Sequence, residues 1–374
     1  MRSSTPFSMS VAALGFSTAL AACGKSGDAR PLDASNVEQD ASSPDSMGSD
    51  SSDGGRASDA NGARDAGGRC ALETSEPLLV TTNGAVVELL HIVARGKPAV
   101  EVRGAKNVVL RNLFIEHEGG AGIVFSGADD LRIENVSVRY LGAPVSGPNP
   151  SSGHVNILGS TSSRVIMESI RLEKGSSGIY LTKCDDSQLR SVEGHDFRGP
   201  FPRGQLVQWN ESHRGLLDGF SVLNPPESWP EDNVNVYKSF DAVIRNGLVD
   251  GNNAPSGVGV IFDGDTSTGL VEDVDAVRMG NGCFSAYAAG GNAVFRRTRC
   301  RDNICTDQGR GVPRSGALMW CGKEGQRAYR IEESTYYQSC NNNIVWPRDS
   351  FAIIDLKEAV FTPRAPLALK FCWQ

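Results

Sequence analysis

The sequence has no excess of positive charge. Lys and Arg number 37 against 44 Asp and Glu, a formal charge of -7. A protein that neutralises phosphates needs a basic face, so nucleic acid is not an expected partner. Aromatic residues are scarce, at 7%. No Cys-x-x-Cys pair occurs, which argues against a structural zinc site. The apolar run Met9–Ala22 is too short and too rich in small residues to stay in a bilayer as a helix.

That run follows Arg2 and ends Leu20-Ala21-Ala22-Cys23, so residues 1–22 are expected to be an export signal. The ending resembles a bacterial lipoprotein signal. The resemblance implies a lipidated Cys23 at the mature N-terminus, and Gly24 after it implies the outer membrane of the cell envelope. Residues 23–69 are rich in Ser, Asp, Gly and Ala and hold almost no large apolar side chain. They cannot bury enough surface to offset the entropy of ordering, and are expected to form a disordered tether. Residues 70–374 are left as the folded domain. Beyond Cys23 the chain has eight cysteines, six of them after Gly282. An even number in an exported chain predicts disulfides concentrated in the C-terminal half.

A single pattern recurs through the folded domain. Val108–Ile115, Leu131–Val138, Val165–Leu172, Gly215–Val222, Ala242–Val249 and Gly269–Ala276 each hold two period-2 apolar runs, broken by a polar pair. Period 2 means strands, and the phase break means a sharp corner where Asn tolerates the left-handed conformation. Upstream of most copies lies a third short strand, such as Val207–Trp209 or Val234–Val236. The repeated apolar position runs Leu110, Ile133, Met167, Leu189, Leu217, Ile244, Val271, Phe295, Ile331 and Leu356. Three short strands per repeat describe a coil, and stacked coils bury together what none buries alone.

This grammar, with Asn112, Asn135 and Asn246 at the corners, resembles the right-handed parallel β-helix of the pectate-lyase-like superfamily. The expected fold is all-β: a single-stranded β-helix of about ten rungs, residues 70–374, monomeric, behind the tether. The connections before the first strands are swollen, as at Leu141–Gly153, Gly194–Gly204, Leu223–Asp232 and Thr306–Gly316. Swollen loops on one edge of a regular scaffold usually carry function. The resemblance implies a sugar-binding groove built from these loops and the outward face of the first strand. The Asn-Thr-Asp, Asp-Asp and Gly-His-Gly series of polygalacturonases is missing apart from the pair Asp185-Asp186.

Aligning Phe125, Ile157, Leu181, Trp209, Val236 and Phe262 as inward makes Asn156, Tyr180, Gln208 and Asn235 an outward polar row, suited to sugar hydroxyls. Arg203 is the candidate for a sugar carboxylate, Gln205 stands before a first strand, and Trp229 is the loop aromatic suited to stacking on a sugar ring. The candidate catalytic residues are Lys238, Asp232, Glu211, His195 and Asp263. Lys238 or His195 would serve as base in a lyase. A carboxyl pair drawn from Glu211, Glu231, Asp232, Asp263 and Asp265 would serve a glycoside hydrolase. Asp232 and Asp265 occupy opposite ends of neighbouring strands and are expected to lie more than about 10 Å apart at ~3.3 Å per residue. His154 is a further loop histidine. Asp263 and Asp265 are the candidate ligands should Ca2+ be a cofactor. The expected function is binding of a polysaccharide, acidic for a lyase, with its cleavage as lyase or hydrolase. The alternatives are a non-catalytic surface glycan-binding or structural protein, and a periplasmic carbohydrate epimerase.

Overall fold

The computed structural model describes residues 69–287, 289, 291–313, 317–321, 329–340 and 344–374. The expected signal, Cys23 and all but the last residue of the tether lie outside the described residues.

Two parallel sheets run the length of the described body. One holds 11 short strands, among them Ile123–Ser126, Ile157–Ser163, Ile179–Asp185, Val207–Asn210, Val234–Tyr237 and Val258–Asp263. The other holds 13, most of them long and bent, such as Val109–Glu118 and Ala242–Asn252. Strands of each sheet pair in parallel with their equivalents one coil earlier and one coil later. The chain is therefore a parallel β-solenoid of about 11 turns. The one helical turn among the described residues is Arg348–Ser350.

Left-handed residues make the bends. Asn112, Asn135, Ser169, Ser191, Asn246 and Asp273 all have φ between 53° and 58° and sit at the same point of their bent strands, a place that Gly219, at φ 73°, takes in the strand between Ser191 and Asn246. There the strand turns while its period-2 alternation restarts, so both halves keep their apolar residues inward. A branched side chain at such a φ is strained, whereas Asn and Asp tolerate it. The inward column runs Leu110, Ile133, Met167, Leu189, Leu217, Ile244, Val271, Phe295 and Ile331, as the repeat predicts. The last rung departs from it: Ile331 faces Ile353, not Leu356.

At the turn after the first strands the stacking is polar. The hydroxyls of Ser162, Ser212 and Ser239 accept the backbone N–H of Ala128, Cys184 and Ser212 at 2.8–2.9 Å. Each also donates to the carbonyl two residues back. A buried turn is thereby satisfied without water.

Among the described residues three disulfides are present: Cys283–Cys300, Cys305–Cys340 and Cys70–Cys372. The first two staple the C-terminal half, as expected. The third joins residues 302 apart in sequence and closes a strap. From Phe361 the chain runs back along the bent sheet, crossing its strands. Backbone N–H groups of Arg364, Leu367 and Leu369 donate to Asp275, Ser221 and Glu193. Arg301 and Arg171 donate to the carbonyls of Phe361 and Leu369. Cys184 is a buried free thiol, which burial pushes up to about 11 and leaves protonated.

Solenoids fray from their ends, and the Cys70–Cys372 bridge ties the N-terminal end to a strap anchored on central coils. Replacing both cysteines by serine is expected to cost about 2–5 kcal/mol. Amide exchange should then rise first in Leu78–Val80 and the strap. Unchanged protection there would refute the strap's role.

Candidate functional site

The outward face of the first-strand sheet carries the site. In its register Tyr180 lies beside Gln208, Gln208 beside Asn235, and Asn235 beside Ile261. Two residues further on, Asn210, Tyr237 and Asp263 are neighbours. Parallel rungs about 4.8 Å apart place these two columns side by side.

A chain of hydrogen bonds connects them. Asn210 Nδ2 donates to Tyr180 Oη at 2.7 Å. Gln208 Nε2 donates to Asn210 Oδ1 at 3.1 Å and to Asn235 Oδ1 at 3.3 Å. Asn235 Nδ2 donates to Asp232 Oδ2 at 2.7 Å, and the Val258 N–H donates to Asp232 Oδ1 at 3.0 Å. Amides are suited to such a chain because each offers both a donor and an acceptor.

Asp232 is the most perturbed group in the row. Burial, then the neighbouring Glu231 charge, push its carboxyl up to about 8, against the bonds from Val258 and Asn235. The Asp263 charge adds to the rise. Asp263 is itself pushed up to about 6 by burial, with the Gly264 N–H opposing. From its place before the strand, Asp232 reaches the strand's outward face through Asn235. It thus feels Asp263 electrostatically, although Asp265, at the far end, remains exposed. Two carboxyls with separated proton affinities on one face are what acid–base work requires.

Arg203 is a half-buried cation on this face with no ion-pair partner among the described residues. Its guanidinium lies 3.8 Å over the Tyr180 ring, its Nε is buried without a hydrogen-bond partner, and no carboxylate pairs with it. The Arg203 carbonyl accepts the Glu231 N–H at 3.0 Å, which ties the two loops flanking the site. Gly204 permits that approach: at φ 118°, a Cβ there would lie 2.3 Å from Pro230 Cα.

Other expected residues fall elsewhere. Asn156 is not in the outward row. Leu158 takes that place, and Asn156 is fully buried, its Nδ2 donating to the Val138 and Glu173 carbonyls and touching His117. The register differs from expectation by two residues because Gly159, not Ile157, faces Phe125. A Cβ at 159 would lie 2.1 Å from the Phe125 ring. A shift of two leaves a period-2 pattern unchanged, so alternation alone could not reveal it. Gln205 is buried with both ends of its amide committed, to Ser177 and the Pro202 carbonyl. It holds the loop rather than facing a ligand.

His195 belongs to the other sheet, where Nε2 lies 2.7 Å from Glu193 Oε1. It does not share the groove with Lys238 or Asp232. His154 stacks on Tyr140 and is shifted down by burial. Lys183, Glu211 and Lys238 do form one column of left-handed turn residues, with Lys183 Nζ 3.8 Å from Glu211 Oε2. All three are exposed, so this is a solvated ladder worth little energy. Lys238 Nζ lies 5.3 Å from the Tyr237 ring centroid, at the edge of the site. Trp229 is half-buried and already covered by the Arg310 guanidinium at 4.4 Å, so its ring face is not open to a sugar there. Among the described residues no three His, Cys, Asp or Glu side chains are arranged to hold a metal. Sequence reasoning missed Asn210 and Tyr237, whose only signal was their register two residues beyond the amide row.

No family model matches the chain, and no curated protein does. Among solved structures the chain is similar to an alginate lyase from Paenibacillus sp. str. FPU-7. The identity is 11%, over 76% of this chain and 98% of that one, with a TM-score of 0.43. A likeness that distant carries no argument about chemistry.

The buried carboxyls predict a pH dependence of stability. Both folded values are raised, so their contribution is complete below the ordinary Asp value of about 4 and is lost as pH rises through about 6 for Asp263 and about 8 for Asp232. Urea midpoints should fall across that window in the native chain and fall less in Asp232→Asn. Parallel pH slopes would contradict the burial of Asp232.

Proposed function

We propose that the protein binds a polysaccharide along the first-strand face and cleaves its glycosidic bonds. The observation that carries this reading is the pair Asp232 and Asp263, two carboxyls on one polar face held above the ordinary range to different degrees. Between about pH 6 and about 8 Asp232 keeps its proton and Asp263 has lost its own. Asp232 then protonates the departing glycosidic oxygen. Asp263 acts as base on an incoming water, or as the nucleophile. The amides of Gln208 and Asn235 hold Asp232 and offer hydrogen bonds to sugar hydroxyls.

Arg203 fits an acidic sugar. It stacks on Tyr180, two rungs from Asn235, hence about 10 Å away at the usual rung spacing. It therefore serves the carboxylate of a sugar beside the reacting one. Hydrolysis needs no cation on the reacting sugar itself, which makes it the reading this set supports best. β-Elimination is the second reading. Lys238, beside Tyr237 and Asp263, favours it, because elimination needs a cation on the reacting uronate.

The test is incubation of the mature protein with acidic and neutral polysaccharides, reading both reducing ends and the ultraviolet absorbance of an unsaturated product. Hydrolysis gives reducing ends alone; absorbance with loss on Lys238→Ala makes it elimination. The pH profile of kcat should be bell-shaped, with limbs near 6 and 8 belonging to the coupled pair. Asp232→Asn should lower kcat by roughly 10²- to 10⁴-fold, and Arg203→Gln should raise KM for acidic chains only. A sugar bound but never cleaved would leave the face a glycan-binding platform and overturn the catalytic reading.

A further inference from the structure

The first-strand face does not end at Tyr180. It continues toward the N-terminal coils as two columns. Val124 lies beside Leu158, and Leu158 beside Tyr180. Two residues further along each strand, Ser126 lies beside Ser160, Ser160 beside Thr182, and Thr182 beside Asn210. The first column is half-exposed from Val124 to Tyr180, whereas from Gln208 to Ser285 it is buried. The hydroxyl column is open too: Ser126 is exposed, and Ser160 and Thr182 are half-exposed. The turn residues that border it are Gly127, Thr161 and Lys183, again without a carboxylate. The strip ends one coil before Val124, at Glu101 and its ion pair with Arg103.

We propose that this strip is a run of subsites that binds an acidic polysaccharide on the N-terminal side of Arg203, with sugar ring faces on Val124, Leu158 and Tyr180 and sugar hydroxyls on Ser126, Ser160 and Thr182. This rests on the reading of the first-strand face as a polysaccharide site.

Shape, hydrogen bonding and charge each select that ligand. The strip is one apolar column beside one hydroxyl column. A pyranose ring is divided in the same way, with C–H bonds on its face and hydroxyls at its rim. A ring lying on Leu158 buries apolar surface while its rim reaches Ser160, so no polar group is left unpaired. A Ser or Thr hydroxyl both donates and accepts, and turns to suit either need of a sugar hydroxyl. The amides of Gln208, Asn210 and Asn235 are by contrast bonded to one another and to their neighbours. The chain has a formal charge of -7, yet these two columns hold no carboxylate from Val124 to Asn210. An anionic polymer therefore meets little repulsion along them. Arg203, over the Tyr180 ring, stands at the inner end of the strip. A chain that leaves Asp232 and passes Arg203 meets Leu158 in the next coil. Equivalent positions recur every ~4.8 Å, so a regular polymer lies on a regular row.

The test is calorimetric binding of a graded series of acidic oligosaccharides to the full mature chain carrying Asp232→Asn, so that cleavage does not intrude. Affinity should rise with ligand length until the ligand reaches Val124, and neutral ligands should bind more weakly. Leu158→Glu, added to that chain, puts a carboxylate under the polymer. It should weaken long ligands by roughly 10- to 100-fold and leave the shortest unchanged. Ser160→Ala and Thr182→Val remove hydroxyls alone, and should each weaken long ligands by roughly 2- to 10-fold. They decide the matter should Leu158→Glu fail to fold. Long ligands that bind these variants as tightly as the unaltered strip overturn the proposal, even where the native chain cleaves them. A changed oligomeric state of Leu158→Glu in sedimentation, with sugar affinity unmoved, makes the strip a contact between copies and also overturns it. If no polysaccharide binds the native chain, the subsites and the catalytic reading fall together. If length and the strip variants act as stated and the native chain never cleaves, the subsites stand and the catalytic reading of Asp232 and Asp263 falls.

Discussion

Parallel backbone pairing between successive coils is the constraint on which everything else depends. It fixes the rise per coil, so a side chain at one point of a coil stands directly beside its counterpart in the next. The left-handed corners are what let the pairing persist around the circuit. They turn the chain without breaking the inward alternation on either side. A site on this scaffold is assembled vertically. Tyr180, Gln208 and Asn235 are distant in sequence and adjacent in space only because the strands that carry them are in register.

The same constraint explains why the polar row is dry enough to perturb its carboxyls. The swollen loops before the first strands fold against one another, tied by the Arg203 carbonyl to Glu231 and by Arg310 to Pro230. They bury Asp232 at the end of an amide chain whose members hold one another in place. A connected buried network is rigid, and its geometry is set before any ligand arrives. The opposite flank behaves differently. Lys183, Glu211 and Lys238 share a column as regular as the amide row, yet they stand in water and interact weakly. Regularity alone does not make a site; desolvation does.

The coil architecture is legible in the sequence because its signals are local: period-2 runs, Asn corners at 112, 135 and 246, and an apolar column that matches the observed register from Leu110 to Ile331. The pairing of Gln208 with Asn235 follows from it. Other features escape such signals. Alternation misplaces Asn156 because it is blind to a shift of two, and the deciding contact is Phe125 on Gly159. Loop swelling groups His195 with Lys238 because it does not say which sheet a histidine joins. The reach of Asp232 toward Asp263, and of Arg310 toward Pro230, depends on side-chain direction and on loops three coils apart. No repeat pattern encodes either.

Central to this account is a single ligand on the first-strand face, lying across Tyr180, Gln208 and Asn235, with its scissile bond at Asp232 and Asp263. A crystal structure of the Asp232→Asn protein with an acidic oligosaccharide tests it most directly. The account predicts a sugar oxygen within hydrogen-bond distance of position 232 and a carboxylate on the Arg203 guanidinium. A sugar seated on the bent-strand sheet beneath the C-terminal strap, with Arg203 untouched, would contradict it.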